Sequence, residues 1–400
     1  MYVWSREAFG EFTGFMTGWT YWMSNIPYFP GVLYFAAGNA LFVVGAQDSS
    51  LAGSPGYFIT AAIIGLAIAV IPNVAGLRVG KWIQNAGAIG VWIPALLLIV
   101  LGGMAAARFG SATSFDPTTA WPRFALKDVL FWSTIAFAFG GVETASLMAR
   151  SVKDPARTIP RAIVIAGVVI VTLYVLGTVA ILVAIPAAEV GGIPGIMQAI
   201  TRVAERVGAA GVASVAALLI TVGAVGAVGA WLTAVSRLPF VAGVEGRLPR
   251  SFGKLHPRYG TPYVSMLVQA AITVVLIVVG QAGTDIRGAY NVMISMSIIA
   301  YFIPFLLMFA AMIKLRRDPA RERTFRIPGG AGMSVGVAAL GFATTLVALG
   351  LAFVPAADEV NKPLALAKVV GMTAVLLLAG GAIYARSERA RRSSATRGIV

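Results

Sequence analysis

The chain is predicted to be an all-α membrane protein of about ten transmembrane helices, on three observations. Of its 400 residues 58% are hydrophobic and 12% charged, whereas a soluble domain carries about 25% charged residues. Apolar segments long enough to cross a bilayer recur from about residue 12 to residue 386, and they leave no room for a separate soluble domain. The basic residues are parcelled into alternate loops between these segments, the pattern that positive charge follows around membrane spans. Residues 1–386 are therefore expected to form one transmembrane domain and 387–400 a basic tail.

In chain order, spans are expected at 12–44, 57–77, 81–107, 127–150, 160–186, 208–236, 262–281, 287–316, 333–354 and 364–386. The opening Met1-Tyr-Val-Trp-Ser-Arg-Glu7 lacks the basic start, short apolar core and small-residue site of a cleavable signal peptide. The first span carries Gly10, Gly14 and Gly18, spaced as a packing face for a neighbouring helix. Pro27, Pro30, Pro72, Pro94 and Pro304 fall inside spans as kinks, which membrane helices tolerate. Gly223, Gly226 and Gly229 read as a second packing face. They follow no strand and have no phosphate-binding lysine, so they are not a nucleotide loop. Between spans, residues 194–207 have helical spacing but are short and charged, and are expected to lie across the outer surface as an interfacial helix.

Counted by side, 23 of the 31 Lys and Arg residues share one face, from Arg6 through Arg78, Lys81 and later loops to the tail at Arg386–Arg397. That face is expected to be cytoplasmic, with both termini on it, in agreement with an even number of spans. The tail reads as a solvated flank of the last span, with contact to anionic lipid as the alternative. The same distribution sets aside nucleic acid as a partner despite the formal charge of +15. There are no cysteines, and the single histidine, His256, sits in a polar loop. Disulfides, thiolate chemistry and a histidine-based metal cluster are therefore not expected, nor is any cofactor. No Gly-x-Ser-x-Gly, His-Glu-x-x-His or paired span aspartates are present, so an intramembrane enzyme is unsupported.

The 127–150 span is interrupted by Phe137-Ala-Phe-Gly-Gly-Val-Glu143. Each glycine weakens a helix by about 1 kcal/mol, so backbone groups are expected to come free here. Such groups survive at membrane depth only where protein or a water-filled cavity satisfies them. A charge at that depth costs about 3 kcal/mol or more and tends to mark a substrate or ion path. Phe137, Ala138, Phe139, Gly140, Gly141, Val142 and Glu143 thus form a candidate binding site, the alternative being packing aromatics and a close helix contact. Glu143 has three readings: partner of a cationic group, carrier of a coupling proton, or gate hinge. The electrostatic alternative is a carboxylate favoured at the start of a half-helix. In the first span Trp19, Trp22, Ser24, Asn25 and Tyr28 gather polar and aromatic groups, and Trp22 and Asn25 are taken as a second wall of the pocket. Asn25 needs a partner at that depth, so an interhelical tether is an equal alternative.

Five segments in order carry a resemblance to a known family. They are Tyr2-Val-Trp-Ser-Arg-Glu-Ala-Phe-Gly10; Gly80-Lys-Trp-Ile-Gln-Asn85; Phe137–Glu143 with Lys153-Asp-Pro-Ala-Arg-Thr-Ile-Pro-Arg161; Ser236-Arg-Leu-Pro-Phe240 through Leu255-His-Pro-Arg-Tyr-Gly-Thr-Pro262; and Phe325-Arg-Ile-Pro-Gly329. Together they resemble the amino acid–polyamine–organocation permeases over essentially the whole chain. The resemblance implies an inverted-repeat transporter fold, with the ten spans corresponding to family helices three to twelve and substrate held at mid-membrane beside the broken sixth helix. The family's first two helices, including a Gly-Ser-Gly-type break, have no counterpart before Gly10. Either the start lies upstream of Met1, as expected from the intact later motifs, or the chain is a remnant.

The resemblance further implies a secondary transporter of amino acids or related amines, a permease or exchanger working by alternating access. Its partners are then that substrate, a coupling proton or counter-substrate, and the lipid bilayer of the cytoplasmic membrane. The alternative is a non-transporting remnant or an amine-binding sensor. Where some relatives carry a lysine in the fifth helix, this chain has Trp92, so coupling through such a lysine is not expected. Asn291, Ser295 and Tyr301 are read as outer-vestibule residues or, more simply, as helix–helix hydrogen bonds. The loop with Arg150, Lys153, Asp154, Arg157 and Arg161 reads as inner-face anchoring or as a gate.

Overall fold

A computed structural model gives the structure of the chain and describes residues 1–116, 126–147, 152–186, 195–316, 329–355, 359 and 361–397. Among these residues every regular element is helical. The helices are α1 (Tyr2–Phe9), α2 (Glu11–Val43), α3 (Pro55–Val74), α4 (Leu77–Phe109), α5 (Leu126–Ala138), α6 (Thr144–Leu147) and α7 (Pro155–Ala184). They continue as α8 (Gly195–Arg206), α9 (Gly211–Val235), α10 (Arg237–Val244), α11 (Tyr263–Gln281), α12 (Ile286–Arg316), α13 (Gly330–Leu351) and α14 (Lys362–Arg397).

Nine helices among the described residues are long and apolar enough to cross a membrane. The tenth expected span is present as two pieces, α5 and α6, separated at residues 139–143. The residues at 387–397 continue α14 as helix beyond its apolar stretch. The motif segment at 325–328, Arg150 and the basic residues at 317–326 lie outside the described residues.

Local chemistry explains where the helices start and stop. The Ser54 hydroxyl caps α3 by accepting from Tyr57 N–H at 3.3 Å, with Pro55 in the first turn, where a missing N–H does no harm. Pro27, Pro30, Pro72, Pro94 and Pro304 all lie within helices, as expected. Helix α2 is the most enclosed span, while the central window of α7 has no buried residue and faces outward.

Two packing seams organise the bundle. At its centre helix α2 packs against both α9 and α12, and α4 lies along α9. Gly87 and Gly90 of α4 face Gly226 and Gly223 of α9 so closely that a Cβ on any of them would meet the opposite backbone. Beside this seam, buried Asn73 of α3 accepts from Gln84 Nε2 (2.9 Å) and from the Thr233 hydroxyl (2.8 Å), tying three helices together. Small residues buy such close approach where lipid supplies no hydrophobic drive. Gly226→Val should therefore cost about 1–3 kcal/mol by overpacking and lower the thermal midpoint in detergent by several degrees. Gly336→Val, which meets nothing within 4 Å, should leave it unchanged.

The 194–207 segment is helical as α8 and keeps Arg202, Glu205 and Arg206 exposed at the surface, but the expectation that its apolar face meets the membrane interface needs correction. Met197, Ala199, Ile200, Val203 and Ala204 are buried against residues of α4, α7 and α9. Its apolar stripe is covered by protein, so its amphipathic pattern records packing on the bundle rather than a lipid-facing interface.

Candidate functional site

The break is built by glycine. Helix α5 ends at Ala138, Gly140 N–H donates back to Phe137 O (2.9 Å), and Gly141 takes φ 112°. That conformation is open to glycine and strained for other residues. At Gly140 a Cβ would run into the Tyr301 ring. Residues 139–143 therefore cross the gap as turns before α6 resumes at Thr144.

Once the helix opens, its polar groups find new partners from neighbouring helices. Tyr174 of α7 donates its hydroxyl to Ala138 O (2.7 Å), and Thr144 Oγ1 donates to Gly141 O (2.5 Å). The half-buried Glu143 carboxylate is the hub. Its Oε1 accepts the hydroxyls of Tyr21 of α2 (2.7 Å) and Tyr301 of α12 (2.6 Å). Its Oε2 accepts Gly141 N–H (2.8 Å), which also donates to the Tyr301 hydroxyl oxygen (2.9 Å). One carboxylate thus joins the break to the two central helices through charge-assisted bonds.

Aromatic rings complete the wall. Phe137 meets Tyr301 edge-on at 5.2 Å and Tyr28 at 5.9 Å, while Phe139, 38% exposed, meets Tyr174 at 5.2 Å. On the other side of the break a cavity of about 320 Å³ is bounded by Gly141, Val142 and Thr144, by Ala162 and Ile163 of α7, and by Arg237. That volume is at the small end of ligand-binding cavities.

Of the residues singled out from sequence, 137–143 come together here, and Tyr28 and Tyr301 join them. Trp22 and Asn25 point elsewhere. The Trp22 indole donates to Gln269 Oε1 of α11 (3.1 Å), and the Asn25 amide donates to Tyr21 O (3.0 Å) and Ser24 Oγ (3.4 Å) within its own helix. Asn291 and Ser295 line a small crevice against Ala352–Pro355, which follow α13, and against α14. Trp92 is 45% exposed on the outside of α4. Asp154 and Arg157 of the charged loop approach to 3.9 Å, both largely exposed, an arrangement worth little energetically.

Sequence reasoning missed Tyr21 and Tyr174. Tyr21 had a legible signal: it lies four and seven residues before Asn25 and Tyr28, on one helical face. Tyr301→Phe should slow transport more than Tyr21→Phe. Each variant loses one hydroxyl to the carboxylate, but only Tyr301 also accepts the Gly141 N–H. Initial rates of the two variants, side by side, check this; equal loss would mean the Gly141 contact is inert.

The amino acid permease family matches the chain over residues 1–376. An uncharacterized transporter of Legionella pneumophila is 29% identical over 89% of this chain and 76% of its own length. A probable agmatine/putrescine antiporter of Lactococcus lactis is 24% identical over 83% of this chain and 70% of its own. A glutamate/gamma-aminobutyrate antiporter of the same organism is 24% identical over 90% and 72%.

Proposed function

The chain belongs to the amino acid permease family, a transporter of amino acids or amines and not an enzyme, and from that premise we propose that it exchanges its substrates by alternating access at the broken helix 137–143. The observation that supports this most is the Glu143 hub. A carboxylate that bonds to α2, α12 and the break at once is a latch between elements that must shift for a site to open to either side in turn. The chain is a multi-pass membrane protein. We place it in the cytoplasmic membrane with both termini inside, the side on which the basic loops gather.

Exchange is favoured over uptake because two of the relatives are named as antiporters of amine-bearing molecules. The backbone at Phe139 and Gly140, ahead of the Gly141 and Val142 carbonyls that already accept from residues 144 and 145, supplies carbonyl acceptors suited to an ammonium group. Phe137 and Phe139 supply rings able to close over it. The test is counterflow: protein purified from its own membrane and reconstituted into vesicles loaded with unlabelled amino acid or amine. Accumulation of labelled substrate only in loaded vesicles is expected. Binding without flux would overturn the reading in favour of a sensor.

A further inference from the structure

Trp22, which the break does not use, lines a second cavity. It lies between α2 and the α10 region, has a volume of about 110 Å³, and includes Tyr2, Phe15, Trp19, Trp22, Leu238 and Glu245 in its lining. Phe15 stacks on Trp19 at 6.1 Å and Trp19 meets Trp22 at 5.2 Å, so three rings share one wall. Helix geometry places them there: residues 15, 19 and 22 are four and three apart, on a different face of α2 from Tyr21 and Tyr28.

The lining carries one carboxylate, Glu245, and one guanidinium, Arg247, whose charge is met by carboxylates outside the cavity. Arg247, also in the lining, has its guanidinium engaged by Glu388 (2.9 Å) and Glu11 (3.1 Å) and held 4.8 Å over the Tyr384 ring. Arg6 reaches toward Glu11 at 3.9 Å and donates to the Tyr2 hydroxyl at 3.4 Å. Glu245 accepts a neutral donor, the Tyr2 hydroxyl, at 3.2 Å. Burial and the Glu245 charge raise the Tyr2 pKa, so the hydroxyl stays a donor at neutral pH. Aromatic faces attract cations, and an aromatic cage beside a carboxylate is the chemistry that holds alkylammonium groups.

We propose that this cavity is a second ligand site, apart from the break, for a small alkylammonium ion seated against Phe15, Trp19 and Trp22 with Glu245 as its counter-charge. Since its walls are α2 and the α10 region, occupancy would bias how α2 sits against its neighbours and so modulate transport. The proposal does not depend on what the break carries.

The probe is choline, compared by calorimetry with its uncharged isostere 3,3-dimethyl-1-butanol on the purified full chain in detergent. Choline should bind at least tenfold more tightly than the isostere. Trp19→Leu should weaken choline at least tenfold and Glu245→Gln about threefold, and Glu143→Gln should leave it unchanged. Glu245 is exposed and glutamine still accepts from Tyr2, so that variant keeps the fold. Equal affinity for choline and the isostere, an unaffected Glu245→Gln variant, or no choline binding at millimolar concentration would each overturn the proposal. Loss of choline binding in Glu143→Gln would overturn it in favour of the break as choline's site.

Discussion

Glu143→Gln is expected to cut exchange at least about tenfold while the protein still inserts, purifies and elutes as a single species. Glutamine keeps the shape but offers one acceptor oxygen. If that oxygen takes the Tyr21 and Tyr301 hydroxyls, the amide NH₂ faces Gly141 N–H, where Oε2 now accepts at 2.8 Å. Two donors then point at each other, and the half-buried Gly141 N–H keeps only the neutral Tyr301 hydroxyl as its acceptor. A hydrogen bond to a charged group contributes about 1.5–3 kcal/mol, and about 1.4 kcal/mol is tenfold in an equilibrium. The latch should therefore shift its conformational balance by one to two orders of magnitude. Counterflow measured from pH 5 to pH 8 checks both size and origin. A flattened pH response in the variant assigns Glu143 the coupling proton. A lowered but parallel profile assigns it the latch alone, and rates equal to wild type at every pH would remove it from the mechanism.

How much of this was readable beforehand depends on which interactions are local. The break was legible because Gly140-Gly141-Val142-Glu143 announces itself within one turn of chain: two poor helix formers followed by a charge in an apolar run. The glycine seams were legible for the same reason, since Gly223 and Gly226 repeat at helical spacing and small residues have one common use between membrane helices. Trp22 and Asn25 were harder. Both sit in a polar, aromatic stretch of α2, yet their faces lie about 100° and 40° from Tyr21 at 100° per residue, and only the docking of α11 decides that Trp22 serves Gln269. Tyr21 shares a helical face with Asn25 and Tyr28, but its partner is 122 positions away and no local pattern names it. The α8 segment misled because an amphipathic stripe has the same pattern whether lipid or protein covers it. Periodicity reports that a face is apolar, and tertiary packing decides what meets it.

Gly140→Ala should abolish most transport, and pairing it with Tyr301→Phe should add little further loss. A Cβ at residue 140 would overlap the hydroxyl end of the Tyr301 ring, and its three nearest neighbours would all be atoms of that side chain. Tyr301 must swing away, giving up its bonds to Glu143 Oε1 and from Gly141 N–H together. It would also disturb the edge contact with Phe137. Residues sharing one network show coupling of about 0.5–3 kcal/mol rather than simple addition. In a double-mutant cycle on initial exchange rates, the hydroxyl that Tyr301→Phe removes has already been displaced in the Gly140→Ala background, so its effect should shrink severalfold there. Full additivity would mean that Gly140 acts through helix α5 alone. Strong non-additivity, with membrane insertion unchanged, would mean that the small residue at 140 exists to seat the Tyr301 hydroxyl on the latch, which ties the conformation of the break to α12.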